Sequence, residues 1–110
     1  MELNQETEGG VVVVTPTGRL DVASAKSVEE SLLGIINGGK TKLVLDFSRL
    51  DYLSSAGLRT LLVVGKRAEN ALGKVVLCAV KPGVREVLVV GGFDRIFKIH
   101  PDRAAAIAAL

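Results

Sequence analysis

Apolar residues in this chain fall into short runs separated by turn residues, and the runs alternate between two periods. Val11-Val12-Val13-Val14, Leu43-Val44-Leu45-Asp46-Phe47 and Val75-Val76-Leu77-Cys78-Ala79-Val80 are continuous and β-prone, the pattern of strands buried on both faces. Between them, Ala25, Val28, Leu32, Ile35 and Ile36, and then Leu58, Leu61, Leu62, Gly65 and Ala68, recur at helical spacing and predict two buried helix stripes.

The turn residues complete the order. Gly9-Gly10 joins a first strand, Leu3 to Thr7, to the valine run as a hairpin, and Pro16 and Gly18 are expected to close the second strand. Asp21 or Ser24 suits the cap of the first helix, Ser27 with Glu30 resembles a capping box, and Asn37-Gly38-Gly39 stops the helix. A strand at 42–47, a loop at 48–53 and a helix at 55–70 follow. After the strand at 75–80, Pro82 opens a third helix with Val84, Val87 and Leu88 inward and Gly91-Gly92 beyond its end. A short strand from Ile96 to Ile99 and a last helix from Asp102 to Leu110 end the chain. The order β-β-α-β-α-β-α-β-α predicts an α/β fold: five strands in a mostly parallel sheet with an antiparallel N-terminal hairpin, and four helices. Residues 1–110 are expected to form one domain.

Composition narrows the function. Hydrophobic residues make up 48% and charged residues 24%, as in an ordinary globule. No apolar stretch reaches the ~18 residues of a membrane span, and the acidic, polar N-terminus is not a signal peptide. A single cysteine excludes an internal disulfide and fits a reducing, cytoplasmic setting. Fourteen basic and twelve acidic residues give a net charge of +2, scattered and with few aromatics, a poor surface for nucleic acid. One cysteine and one histidine build no ordinary metal site, and the only histidine, His100, lies far from any candidate nucleophile. Cys78, centred in an apolar strand, reads as core packing. These features point away from an enzyme, a metal and a cofactor.

One motif misleads. Gly34-Ile35-Ile36-Asn37-Gly38-Gly39-Lys40-Thr41 matches the phosphate-loop pattern letter for letter. That chemistry needs a strand before the loop and a helix after it, so that a helix N-terminus faces the phosphates. Here the order is reversed, and a helix C-terminus is the negative end. The segment is a helix stop followed by a turn.

The remaining candidate is Ser54-Ser55-Ala56-Gly57-Leu58, at the start of the helix after residue 53. Such a start offers unpaired backbone N–H groups and a positive dipole end, suited to a phosphate. Serine is also a preferred N-cap, so Ser54 is the better cap and Ser55 is left at the first helical position. Gly57 lowers helix propensity and is expected to leave the backbone bare to an approaching partner. At 100° per residue, Arg59, Val63, Lys66, Arg67 and Asn70 are expected opposite the core stripe, with Val63 as the apolar centre of a polar-rimmed docking face.

At these residues the chain resembles the STAS domain family, in the form carried by bacterial anti-sigma factor antagonists. Leu50-Asp51-Tyr52-Leu53-Ser54-Ser55-Ala56-Gly57-Leu58-Arg59 is similar to the family's signature loop, Gly18-Arg19-Leu20-Asp21 to its second landmark, and Gly92-Phe93-Asp94-Arg95-Ile96-Phe97 to the segment before its last strand. The family loop often reads D-S-[ST]-G-L; here Ser54 holds the aspartate position and Ala56 the second hydroxyl. The resemblance implies a STAS fold and a switch that is not an enzyme. In it, Ser55 is phosphorylated by an anti-sigma factor that is itself a serine kinase, and a serine phosphatase resets it. The implied docking surface comprises Asp21, Ser54, Ser55, Ala56, Gly57, Arg59, Val63, Lys66 and Arg67, on a cytoplasmic monomer that takes its phosphate from the kinase's ATP. Two other readings share the fold: a scaffold module of a signalling or lipid-transport assembly, with both serines serving as caps, and a small-ligand sensor.

Overall fold

Gly9 and Gly10 have φ of +57° and +80°. The left-handed turn they make folds β1 (Glu2–Glu8) back on β2 (Val11–Leu20), in antiparallel register from Glu2 opposite Thr17 to Glu8 opposite Val11. The computed structural model describes residues 1–110.

The second strand is longer than its Pro16 and Gly18 suggest; it runs through both to Leu20. On the side away from β1 it pairs twice in parallel. Val12–Val14 pair with β3 (Lys42–Asp46), and Gly18–Leu20 pair with β4 (Leu50–Leu53). Pro16 falls in the gap between these two pairings, where a residue without an N–H is tolerated. Gly18, at φ +103°, sits where the register with β4 shifts.

The strand β4 corrects the expectation of a loop at 48–53 and brings the sheet to six strands. Its inner residues Asp51 and Tyr52 are exposed and only Leu50 and Leu53 are buried, so it has neither an apolar run nor a period of two. The remaining strands β5 (Lys74–Cys78) and β6 (Ile99–His100) pair in parallel and give the order β1-β2-β3-β5-β6, with β4 beside the far end of β2. The last strand is shorter and later than expected. A 3-10 turn at Phe93–Arg95 occupies the chain ahead of it, and Ile96 is exposed.

Helices α1 (Val22–Asn37), α2 (Ser55–Asn70) and α3 (Pro82–Val90) bury their stripes in the larger core, with Val12, Val14, Leu43, Leu45 and Leu77 of the sheet. The short α4 (Arg103–Ala108) covers the other face, over Val11, Val13, Val44, Val76 and Cys78. The first helix is boxed by Asp21 and Ser24, not by Ser27 and Glu30; Ser27 Oγ instead donates to the Ser24 carbonyl at 3.1 Å. The phosphate-loop look-alike lies as its order implies, with Gly34 inside α1, Gly38 at its C-cap and the strand starting at Lys42.

One side chain fastens α4 to the sheet. Arg103 donates to Asp46 Oδ2 from Nε at 3.2 Å and Nη2 at 3.1 Å, to Glu6 Oε1 at 3.2 Å and to Thr15 Oγ1 at 3.2 Å. This guanidinium, with two nitrogens on one carboxylate oxygen of Asp46, joins the last helix to the first strand and to the buried end of β3.

Candidate functional site

Strands β2 and β4 lie in parallel, Leu20 opposite Leu53, and each runs straight into a helix. The N-termini of α1 and α2 therefore emerge side by side, with Asp21 capping one and Ser54 the other. The Asp21 carboxylate accepts from the N–H groups of Ala23 and Ser24 at 3.0 and 3.2 Å, and Ser24 Oγ accepts from the Asp21 N–H at 3.1 Å. The Ser54 hydroxyl is used twice: it accepts from the Gly57 N–H at 3.2 Å and donates to the Leu20 carbonyl at 3.2 Å. The Ser54 N–H donates to that same carbonyl at 3.0 Å. The serine turn is thus tied to Leu20, the residue just before Asp21.

Ser55 differs from its neighbour in every respect that bears on chemistry. It is the first residue of α2, it is exposed, and no hydrogen bond within the domain engages its hydroxyl. The first turn of α2 carries no acidic side chain, so the dipole there is uncompensated. Arg59, four residues on, is exposed and unpaired, at the spacing that lets two helical side chains meet. Ala56 and Arg59 also line a shallow groove of about 350 Å³ between α1 and α2, which includes the highly exposed Val22.

The structure revises two expectations around this turn. Gly57 is buried, and a Cβ there would lie 2.6 Å from Leu53 Cδ1 and 2.9 Å from both Leu20 Cγ and the Leu20 carbonyl oxygen. It is glycine so that α2 can press onto the ends of β2 and β4, not to leave room for a partner. Val63 is half-buried, and α2 presents Gly57, Thr60, Leu61, Val64 and Ala68 to the core, keeping Leu61 and Ala68 of the expected stripe and adding the other three. Leu58, Leu62 and Gly65 are only half-buried. The outer face of α2 is accordingly divided. Arg67 reaches Asn37 at the far end of α1, its Nε donating at 2.8 Å, while Lys66 borders a different groove beside Phe97. Asp21, Ser54, Ser55, Ala56 and Arg59 gather at one end; Lys66 and Arg67 stand about three turns away.

Arg19, which sequence reasoning passed over as a site residue, and Tyr52, at the start of the expected docking loop 52–59, complete that end. Arg19 and Tyr52 are register partners across β2 and β4, and the guanidinium lies 4.0 Å above the ring centre. Arg19 Nε also comes within 3.8 Å of the Asp21 carboxylate. The signal was present in Gly18-Arg19-Leu20-Asp21, but without β4 there was no strand to put Tyr52 opposite Arg19.

A second constellation resembles catalytic chemistry. Asp46, Cys78 and His100 are register neighbours at the ends of β3, β5 and β6, beneath α4. Burial, reinforced by the Asp46 charge, pushes the Cys78 thiol up to about 12, so it stays protonated and inert. Burial alone would raise the Asp46 carboxyl, but the Ser48 hydrogen bonds and the Arg103 guanidinium outweigh it and hold the carboxyl below its usual value. The pair sets a pH dependence of stability. The Asp46 contribution is present above the unfolded carboxylate range and is lost as pH falls through the lowered folded value. The Cys78 contribution is intact below about 9 and is lost as pH rises towards about 12. In urea titrations from pH 7 to 11, Cys78→Ala is expected to flatten the alkaline fall in stability relative to wild type. A native thiol that reacts freely with a thiol reagent at pH 8 would contradict the assignment.

Comparisons with known proteins converge. The family model described as STAS domain matches residues 2–106. BtrV of Bordetella bronchiseptica, named as a candidate anti-sigma factor antagonist, is 40% identical over 109 residues, covering 99% of this chain and 94% of that protein. A crystal structure of a candidate anti-sigma factor antagonist from Thermotoga maritima superposes with a TM-score of 0.93 at 22% identity, over 97% of this chain and 92% of that one. The Bacillus cell fate determinant SpoIIAA in its phosphorylated form superposes with a TM-score of 0.76 at 22% identity, over 98% of each chain. At these identities the two solved structures establish the shared fold.

Proposed function

The chain belongs to the STAS domain family, and on that footing we propose that it is an anti-sigma factor antagonist whose docking is switched off by phosphorylation of Ser55. The names of its relatives support the antagonist role. The observation that carries the switch is the division of labour between the two serines: Ser54 is committed to the cap, and Ser55 stands exposed with a free hydroxyl at an uncompensated helix start. That a solved relative exists in a phosphorylated form supports it further.

With Ser55 free, the end of the domain formed by Asp21, Ser54, Ser55, Ala56 and Arg59, with Arg19 and Tyr52 beside them, docks on an anti-sigma factor serine kinase, which releases its sigma factor. Val63, Lys66 and Arg67 extend the contact only if the partner reaches along α2. The kinase transfers the γ-phosphoryl group of its ATP to Ser55 Oγ; ADP leaves, and the hydroxyl proton passes to a base of the kinase. The added charge of about −1.5 to −2 meets the N–H groups of α2 and lies four residues from Arg59, so the domain itself accommodates it. The partner surface does not, because bulk and a desolvated charge now occupy the contact. A serine phosphatase restores the hydroxyl. ATP and its metal belong to the kinase, and this domain supplies no catalytic residue.

The test is phosphorylation by the cognate kinase followed by mapping of the phosphate by mass spectrometry. One phosphate on Ser55, abolished in Ser55→Ala and retained in Ser54→Ala, is expected. Phosphate on Ser54, or none with a kinase active on other antagonists, would overturn the assignment.

A further inference from the structure

A second groove lies away from the serine turn, at the amino-terminal ends of β5 and β6. It is an open groove of about 580 Å³ between the C-terminal half of α2 and the segment around Phe97. Its walls are mostly apolar: Leu62 from α2, Val75 from β5, and Ile96 and Phe97 from the turn before β6. Phe97 forms the floor where it packs directly on α2 at Gly65, since a Cβ there would lie 2.8 Å from its ring. Ile96 is 57% exposed, a cost the fold does not need to bear for its own packing.

The rim is cationic. Lys66, Lys74 and Lys98 come from three separate elements, and only Glu69 opposes them. None of the three ammonium groups has a carboxylate within 4.0 Å, whereas Lys81 elsewhere on the surface is paired with Asp51 at 2.6 Å. A chain with only two net positive charges has gathered three unneutralised ones around one apolar groove. The groove is also of the size that holds small organic ligands.

We infer that this groove binds a single-chain anionic amphiphile, with its carboxylate or phosphate head among Lys66, Lys74 and Lys98 and its apolar tail along Leu62, Val75, Ile96 and Phe97. Lysine suits such a head group, because its ammonium acts as a mobile point charge that does not demand a fixed bidentate geometry. The apolar walls supply the affinity that a free inorganic anion would lack. The site shares α2 with Ser55 but lies at the other end of that helix and does not rest on the phosphorylation proposal.

Calorimetry and amide NMR with dodecanoate and with dodecyl phosphate, both kept monomeric, test this directly. Saturable one-to-one binding at a Kd of about 0.1 mM or tighter is expected for at least one of them, with shifts centred on Lys66, Val75 and Phe97. Inorganic phosphate and uncharged dodecyl maltoside are expected not to bind there. Lys74→Glu with Lys98→Glu, both at exposed positions, is expected to weaken binding at least tenfold, and Ile96→Asp to do the same through the tail, with circular dichroism unchanged in each. Equal binding of the uncharged amphiphile, indifference to both sets of substitutions, or association with anionic vesicles without binding of monomers would overturn the inference.

Discussion

Gly73→Ala is expected to lower the melting temperature by roughly 10 °C or more, the largest stability loss from adding one methyl group to this chain. The added Cβ would fall on the carbonyl, the carbonyl carbon and the Cβ of Thr41. Those atoms are mostly backbone, and they are already held: the Thr41 carbonyl accepts from the Lys74 N–H at 2.9 Å, and the Gly73 N–H donates to the Ala68 carbonyl at 2.7 Å. Making room means parting β3 from β5 where their pairing begins, at Lys42 opposite Lys74. Overpacking of this kind costs typically 1–3 kcal/mol and more against a rigid neighbour. In a domain of this size each 1 kcal/mol lowers Tm by about 4–8 °C. Gly34→Ala is the internal control. Gly34 sits inside α1 with nothing within 4 Å of an added Cβ, so the same methyl group is expected to stabilise by about 0.5–1 kcal/mol. Thermal scans of the two variants beside wild type check both signs; a neutral Gly73→Ala would refute the close approach.

Ser55→Asp is expected to weaken docking to the cognate kinase at least tenfold, about 1.4 kcal/mol, while leaving the fold as stable as wild type or slightly more so. The two signs have one cause. A carboxylate at the first residue of α2 complements a helix start that has no acid of its own, which contributes some 0.3–1 kcal/mol to folding. The same charge is unwelcome when the partner covers it. Ser55→Ala is expected to bind within about threefold of wild type, because it brings neither charge nor bulk to the contact, and to keep wild-type stability, because that hydroxyl makes no bond inside the domain. Ser54→Ala is expected to behave in the opposite way, losing about 1 kcal/mol of stability with its cap. Titration calorimetry with the kinase and thermal scans of all four proteins separate these outcomes. Loss of binding in Ser55→Ala would mean that the hydroxyl is itself a contact.

How much of this was legible in the sequence depended on how far each segment could be read alone. The valine run, the Gly9-Gly10 turn and the caps at Asp21 and Ser54 were readable because their causes are local. The strand at Leu50–Leu53 was not, because its existence depends on β2 bending at Gly18 to meet it, and half its side chains face water. The phase of α2 was misjudged for a different reason. Leu58, Leu61, Leu62, Val63 and Val64 leave apolar residues on several sides, so hydrophobicity alone does not choose a face. The residue that does choose is polar: Thr60 is buried, and its hydroxyl donates to the Ala25 carbonyl of α1 at 3.2 Å. That bond fixes which side of α2 meets α1, and no periodicity reveals it. With the phase corrected, the candidate site contracts from a long helix face to one end of the domain, where Arg19 lies over Tyr52 and beside Asp21.

The clamp of Arg103 on Glu6 and Asp46 joins residues up to 97 positions apart in the chain. Closing so long a loop costs entropy that nothing returns until the sheet between its ends exists. The hairpin at Gly9-Gly10 and the helix pair bound through Thr60 form from nearer neighbours and have no such wait. The clamp is therefore expected to close after the rate-limiting step, so that Arg103→Ala speeds unfolding in stopped-flow denaturant jumps and leaves the folding rate nearly unchanged. Such a clamp sets how long the domain lasts once folded, and leaves the speed of first folding to the strands and helices it locks in place.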